Sequence, residues 1–277
     1  MLAAFRIAAW LITAVVVLGV VAGATSYWLF AREIAGDLTR LTTAAQAPAK
    51  VVTEAMLAPL PAPARRYFRF AGVVGEPIPR IVRLTQKGRI RGSVKDNWMA
   101  FEADETYSTS PPGLVWRAWF PAKAMPVALG RDEYLEGKGS ILMKILATVP
   151  LADERGSELA AAGLMRYLNE TMWFPAALLG ANVTIAPIDD GSFQVSLTDR
   201  GETAKAVLFV DVEGRLTNFR AQRYSAATRR LETWETPVSG YRKIDGLNLP
   251  TTGFAVWKLA SGDLDYIELE VTGIDHE

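Results

Sequence analysis

The sequence predicts a mainly β chain of the α+β class, antiparallel strands with one packed helix, preceded by an N-terminal transmembrane helix. Three observations carry this. An uncharged run extends from Ile7 to Ala31, a period-two pattern begins at Ile81, and one amphipathic helical stretch, Ser157 to Met172, interrupts it.

The run Ile7–Ala31 has 25 residues, and at about 1.5 Å per residue its helix exceeds a hydrocarbon core of ~30 Å. Arg6 precedes it, while Trp28 and Arg32 mark its far end, as interfacial anchors do. Ala22-Gly23-Ala24 has the form of a signal-peptidase site, but the apolar stretch Tyr27 to Phe30 beyond it favours an uncleaved anchor. Positive-inside counting is a tie, the N-terminal amine and Arg6 against Arg32 and Arg40. Long domains after a signal anchor translocate largely regardless of local charge, so the expected topology is single-pass with the C-terminal domain extracytoplasmic.

The expected organisation is an anchor over residues 1–31, a helical extension and Pro/Ala-rich linker over 32–59, and a β-rich domain over 60–277. Glu33 to Gln46 is polar and continues the helix. Pro48, Pro59, Pro61 and Pro63 then break it, around a helical turn at Glu54–Leu57. Pro63 suits the first turn of a short helix, Ala64–Ala71, where Arg65, Arg66 and Arg69 alternate with Tyr67, Phe68 and Phe70. This reads as a cap helix: the aromatics close one end of the core and the arginines face water.

From Ile81 the candidate strands are Ile81–Arg91, Trp98–Ser108, Leu114–Phe120, Val127–Leu135 and Ile141–Leu146. After the helix come Val183–Ala186, Phe193–Thr198, Ala204–Val210, Leu216–Tyr224, Leu231–Thr236, Gly240–Ile244, Phe254–Leu259 and Leu264–Thr272. This set is expected to overcount. In Trp98–Ser108 one face holds Met99, Phe101, Ala103 and Tyr107, interrupted by Glu105, and the other holds Glu102, Asp104 and Thr106. Trp116 and Trp119 fall on opposite faces of their strand, so one of them needs a partner outside the core.

In the helical stretch Leu164, Leu168 and Met172 recur at i, i+4, i+8, Ser157 is placed to cap the start and Pro175 ends it. Arg166, Glu170 and Trp173 form a second stripe at i, i+4, i+7. They are either a solvated ion pair beside an aromatic or an enclosed set at a cavity mouth.

Composition excludes much. The chain has 30 basic and 30 acidic side chains, no cysteine and one histidine, His276 near the C-terminus, where mobility is expected. Charge balance argues against a nucleic-acid partner. Thiolate catalysis and disulfides are impossible, the lone near-terminal histidine argues against histidine-based triads, HExxH metal sites and histidine general bases, and no cofactor or metal site is expected. Gly137-Lys138-Gly139 lacks phosphate-loop spacing and reads as a bulge or turn. The adjacent carboxylates Asp132-Glu133, Asp153-Glu154 and Asp189-Asp190 read as solvated loop residues.

Leu60-Pro61-Ala62-Pro63-Ala64-Arg65-Arg66-Tyr67 and the run Arg166-Tyr167-Leu168-Asn169-Glu170-Thr171-Met172-Trp173-Phe174-Pro175-Ala176-Ala177-Leu178-Leu179 resemble the signatures of an uncharacterised, mostly bacterial domain family. Arg223-Tyr224 and Gly246-Leu247-Asn248-Leu249-Pro250 fit the same pattern. The resemblance implies a sheet curled around a helix, similar to lipoprotein-carrier half-barrels of the LolA/LolB type, and no defined activity.

The resulting expectation is a membrane-anchored, non-catalytic domain that binds a lipid or acyl chain in the concavity of the half-barrel. Phe101, Trp116, Trp173 and Trp257 would supply apolar wall, and Arg166, Glu170 and Arg223 would orient a polar headgroup. The alternatives are a structural or assembly scaffold of the cell envelope and a carboxylate-dependent hydrolase. Convergent carboxylates in a cleft would mark the last of these.

Overall fold

The structure is a computed structural model that describes residues 2–45, 50–122, 125–225 and 227–277. Helices α1 (Leu2–Ala44), α2 (Glu54–Leu57) and α3 (Ala62–Ala71) come first; Pro48 of the linker lies outside the described residues. A meander follows: β1 (Ile81–Ile90), β2 (Met99–Thr109), β3 (Pro112–Ala122), β4 (Met125–Leu135), β5 (Lys138–Ile145) and β6 (Val149–Gly156). Then α4 (Ser157–Glu170) and two 3-10 turns, Thr171–Trp173 and Pro175–Leu179, lead to β7 (Val183–Asp189), β8 (Ser192–Asp199), β9 (Glu202–Val210), β10 (Leu216–Ser225) and β11 (Arg230–Glu235). Short β12 (Val238–Ser239), β13 (Arg242–Ile244) and β14 (Leu247–Leu249) precede β15 (Thr252–Leu259) and β16 (Gly262–His276).

One antiparallel sheet of 14 strands runs β6-β5-β4-β3-β2-β1-β16-β15-β11-β10-β9-β8-β7, with β12 attached to β15; β13 and β14 pair separately. The two edges, β6 and β7, are joined through α4. That helix touches β5 near one edge and β9 near the other. Nine strand spacings of about 4.8 Å would hold those strands roughly 43 Å apart in a flat sheet, about four helix diameters. The sheet therefore curls around α4 as a half-barrel.

Every candidate strand from the sequence appears, and the overcount runs the other way: β6, β12 and β14 are additional. β6 carries Pro150 and three charged residues and is exposed along nearly its whole length as an edge strand, so no alternation marks it. Gly137-Lys138-Gly139 is a hairpin: Glu136 and Gly137, at φ 53° and 78°, form the two-residue turn between β4 and β5. Gly139 has a packing role, since a Cβ there would stand 2.0 Å from the Leu159 carbonyl oxygen. A glycine at this point lets the α4 backbone seat on β5.

Two helix-end expectations are corrected. Gly156, not Ser157, is the N-cap of α4, and the Ser157 hydroxyl instead lies 3.1 Å from Glu158 Oε2. The α-helix stops at Glu170, and Pro175 opens a 3-10 turn rather than ending the α-helix. The apolar stripe Leu164, Leu168 and Met172 is buried as expected, in one core with Tyr67, Phe68, Tyr107, Phe174, Phe193 and Phe219. α3 is the cap helix that the pattern implied, with Tyr67 and Phe68 buried and Arg69 paired at 2.7 Å with exposed Glu54.

α1 is long and apolar enough to cross a membrane, and it continues unbroken to Ala44. Its last turns pack on the convex face of the sheet. Phe30, Ile34, Asp37 and Leu41, at i, i+4, i+7, i+11, are buried; the apolar three pack against Val115, Leu129, Leu135 and Leu142. Trp119 joins this cluster, which is the partner its outward position required. Arg131 Nη1 binds Asp37 at 2.9 Å and Glu33 at 2.7 Å across the contact.

His276 is fixed, contrary to expectation: it ends β16, and its Nε2 lies 3.0 Å from the Trp173 carbonyl oxygen.

Candidate functional site

Strand alternation sends one set of side chains from β1–β5, β10, β11, β15 and β16 into the concavity, where α4 covers only part of the space. A cavity of about 380 Å³ remains, within the size range of small-molecule sites. Phe101, Trp116, Phe120, Met143, Trp257 and Ile267 line its walls. The aromatics contact one another edge-on or stacked: Phe101 and Trp116 have centroids 5.9 Å apart at 69°, Trp257 and Tyr266 5.9 Å apart at 25°.

All seven residues singled out from the sequence, Phe101, Trp116, Arg166, Glu170, Trp173, Arg223 and Trp257, border this one cavity. They differ in what they present to it. Phe101, Trp116 and Trp257 are wall. Trp173, as buried as Phe101, is also tethered: its indole N–H donates to the Pro250 carbonyl at 3.1 Å.

Arg166 is the centre of an enclosed network, which settles the open reading of the α4 stripe. Its Nε bonds Glu170 Oε1 at 2.8 Å, Nη1 bonds Asp132 Oδ2 at 2.6 Å and Nη2 bonds Glu105 Oε1 at 2.9 Å. The guanidinium also lies over Trp116, 5.1 Å from the ring centroid. Gln86 Nε2 donates to the second Glu105 oxygen at 3.0 Å. Burial pushes the Glu105 carboxyl well above the usual carboxylate range; Arg166 opposes this and Glu170 adds to it. Burial also works against the Arg166 charge, but Glu105, Glu170 and Asp132 outweigh it and hold its pKa up.

Carboxylates thus converge here, as a hydrolase would need, but they converge on one guanidinium. Glu105 has no exposed side-chain surface, and Asp132 and Glu170 each give an oxygen to Arg166. Acid–base hydrolysis of a glycoside instead sets two carboxyl groups on either side of a bound substrate. The cluster is built to hold Arg166 and, through it, α4 against β2 and β4.

Arg223 is different. Among the described residues no carboxylate lies within ion-pair distance of it; its guanidinium sits 4.5 Å from the Trp234 centroid and 5.9 Å from that of Trp257. Its one side-chain bond is a long one, Nη1 to the Tyr266 hydroxyl at 3.4 Å, and Nε is buried without a partner. Glu170 Oε2 is likewise buried and unpartnered. Two polar groups with unused bonding capacity therefore border a mostly apolar space.

Sequence reasoning missed Glu105, Asp132, Gln86, Trp234 and Tyr266. Glu105 had a signal, a lone charge on the apolar face of its strand. Asp132-Glu133 is corrected from solvated loop to strand: the two lie in β4, Asp132 paired with Arg166 and Glu133 with Arg131 at 3.5 Å.

Residues 50–269 match the model of a family of unknown function, DUF6544. A comparison with curated proteins gives no match. Among solved structures, the chain is similar to a LolA superfamily protein from Nitrosomonas europaea, at 15% identity and TM-score 0.45, covering 82% of this chain and 94% of that one. It is also similar to a DUF1329 family protein from Desulfovibrio piger, at 10% identity and TM-score 0.43, covering 84% and 94%. The lipoprotein LppX of Mycobacterium tuberculosis aligns at 12% identity and TM-score 0.24, covering 80% and 95%.

Proposed function

The chain belongs to the DUF6544 family of unknown function, and from its own cavity we propose that it binds an amphipathic lipid with an acidic headgroup. The acyl portion lies against Phe101, Trp116, Phe120 and Trp257, and the head reaches Arg223. α1 serves as a single-pass anchor that keeps the domain at the extracytoplasmic membrane surface.

Arg223 carries this reading. A guanidinium that has no carboxylate partner among the described residues and lies against two tryptophans at a largely apolar cavity forgoes charge-assisted hydrogen bonds that an anion would restore. Arg166 is less suited to that role, because each of its three nitrogens already binds a carboxylate, of Glu105, Asp132 or Glu170, and its charge is compensated. The aromatic wall supplies apolar burial at about 25 cal/mol per Å² of ligand surface removed from water.

The test is mass spectrometry of lipids that co-purify with the full chain and with Arg223→Met. The reading expects an acidic amphiphile enriched over bulk membrane lipid in the wild type and depleted in the variant. Identical lipid profiles matching the bulk membrane would refute it.

A further inference from the structure

α1 fixes where a bilayer lies relative to the half-barrel. Along the convex face it starts at Phe30, which clusters with Ala147 of the β5–β6 turn and has Lys144 Nζ 5.3 Å from its ring centroid. It finishes at the opposite end of the sheet, where Leu41 abuts Gly113 and Arg80 donates to the Thr42 carbonyl at 3.3 Å. Gly113 is the second residue of β3 and Arg80 precedes β1, so the helix has traversed the height of the half-barrel. A helix is a rod, and its apolar residues before Phe30 therefore project beyond the β5–β6 end.

The cavity lies at that same end. Ile90, Phe101, Met143, Ser225 and Trp257, all cavity-lining, each stand within three residues of the strand terminus on that side. The far end is filled by α3 and the core around Tyr67, Phe68 and Phe174. Anything entering the cavity along the barrel axis must come from the side into which α1 projects.

The β5–β6 tip has an unusual make-up for a turn in water. Leu146 and Ala147 have φ 47° and 59°, the left-handed positions that hairpins normally give to Asn, Asp or Gly. Leu146, Val149 and Leu151 are 56%, 56% and 57% exposed. Ala147 packs at the level of Phe30, between Trp28 and Arg32, and the Arg32 guanidinium lies 5.3 Å from the Trp28 ring centroid. Tryptophan and arginine at the end of an apolar span mark the membrane interface.

We propose that the β5–β6 tip is seated in the interface of the bilayer that α1 crosses, so that the cavity opens toward the lipid leaflet and takes its ligand directly from it. This rests on the reading of α1 as an anchor and of the cavity as a lipid site. The occupant of the apolar tip is lipid, because the neighbouring helix already commits that level of the molecule to the bilayer.

The chain has no cysteine, so Leu146→Cys and Val212→Cys each give one labelling site. Val212, 83% exposed between β9 and β10, lies at the far end and is the control. Each full-length variant is labelled with an environment-sensitive fluorophore in phosphatidylcholine–phosphatidylglycerol vesicles that carry nitroxide lipid. The proposal expects blue-shifted, nitroxide-quenched emission at 146 and aqueous, unquenched emission at 212. Aqueous emission at both positions overturns it.

A second arm measures uptake of a fluorescent phospholipid from vesicles by the full chain. Leu146→Glu with Val149→Glu should slow uptake several-fold, while binding of the same lipid delivered as detergent-dispersed monomer is unchanged. Unaltered uptake would overturn direct entry. Quenching at 146 with no wild-type binding by either route would instead sink the lipid-site reading alone.

Discussion

Arg131 and Asp132 are adjacent in β4 and point to opposite faces of the sheet, each into a buried ion network. Arg131 holds Asp37 and Glu33 of α1 on the convex side. Asp132 holds Arg166 of α4 on the concave side. One strand thus joins the two helices, and the alternation of side chains is the physical reason that it reaches both.

Replacing Arg131 should detach the last turns of α1. Arg131→Ala leaves partly buried Glu133 without its cation and Asp37, 7% exposed, with only half-exposed Arg40 at 2.7 Å, so the loss should stay below the ~3–5 kcal/mol of a fully stranded buried charge. Hydrogen exchange over residues 30–44 is the measurement. It should accelerate in the variant, and unchanged protection would mean that the apolar stripe alone secures the helix.

The Arg166 network should behave as one unit. Arg166→Ala strands Glu105, Asp132 and Glu170 and should cost about 3–5 kcal/mol, whereas an exposed pair would lose about 1 kcal/mol or less. Arg166→Ala and Glu170→Ala should also be non-additive in a double-mutant cycle read by urea denaturation. Small additive losses would return the pair to a solvated helix face.

Stability should carry the signature of Glu105. Its folded pKa is raised, chiefly by burial, so between its unfolded and folded values the native state holds a proton that the unfolded state has released. The stabilisation is present below the unfolded value, near 4.5, and is lost as pH rises through the folded value. Glu105→Gln keeps a neutral hydrogen-bonding group and removes the titration. Relative to wild type, the variant should therefore gain stability as pH increases above the ordinary carboxylate range. A denaturation difference that is flat with pH would contradict a raised Glu105 pKa.

Much of this site is legible in local patterns. The i, i+4, i+7 stripe of Arg166, Glu170 and Trp173 comes from helical geometry, and the wall residues Phe101 and Trp116 come from strand alternation. What is illegible is pairing across the fold: nothing near Arg166 in sequence announces Glu105 or Asp132, because the curl of the sheet brings them there. Asp37 shows the other limit. It sits in a buried stripe with Phe30, Ile34 and Leu41, but a polar segment after an apolar run looks solvated until Arg131 is placed opposite. β6 is obscured because an edge strand need not alternate.

The central claim is that a cavity with an unpaired arginine holds an acidic amphiphile, and the most direct measurement is a titration of the full chain with a fluorescent long-chain fatty acid. Wild type should bind saturably, and Arg223→Met should bind about ten- to a hundred-fold more weakly, the equivalent of losing a charge-assisted hydrogen bond of about 1.5–3 kcal/mol. Trp257→Ala should weaken binding through lost apolar contact, with circular dichroism confirming that both variants are folded. Absence of saturable binding by folded wild type, or equal affinity in wild type and Arg223→Met, would contradict the account.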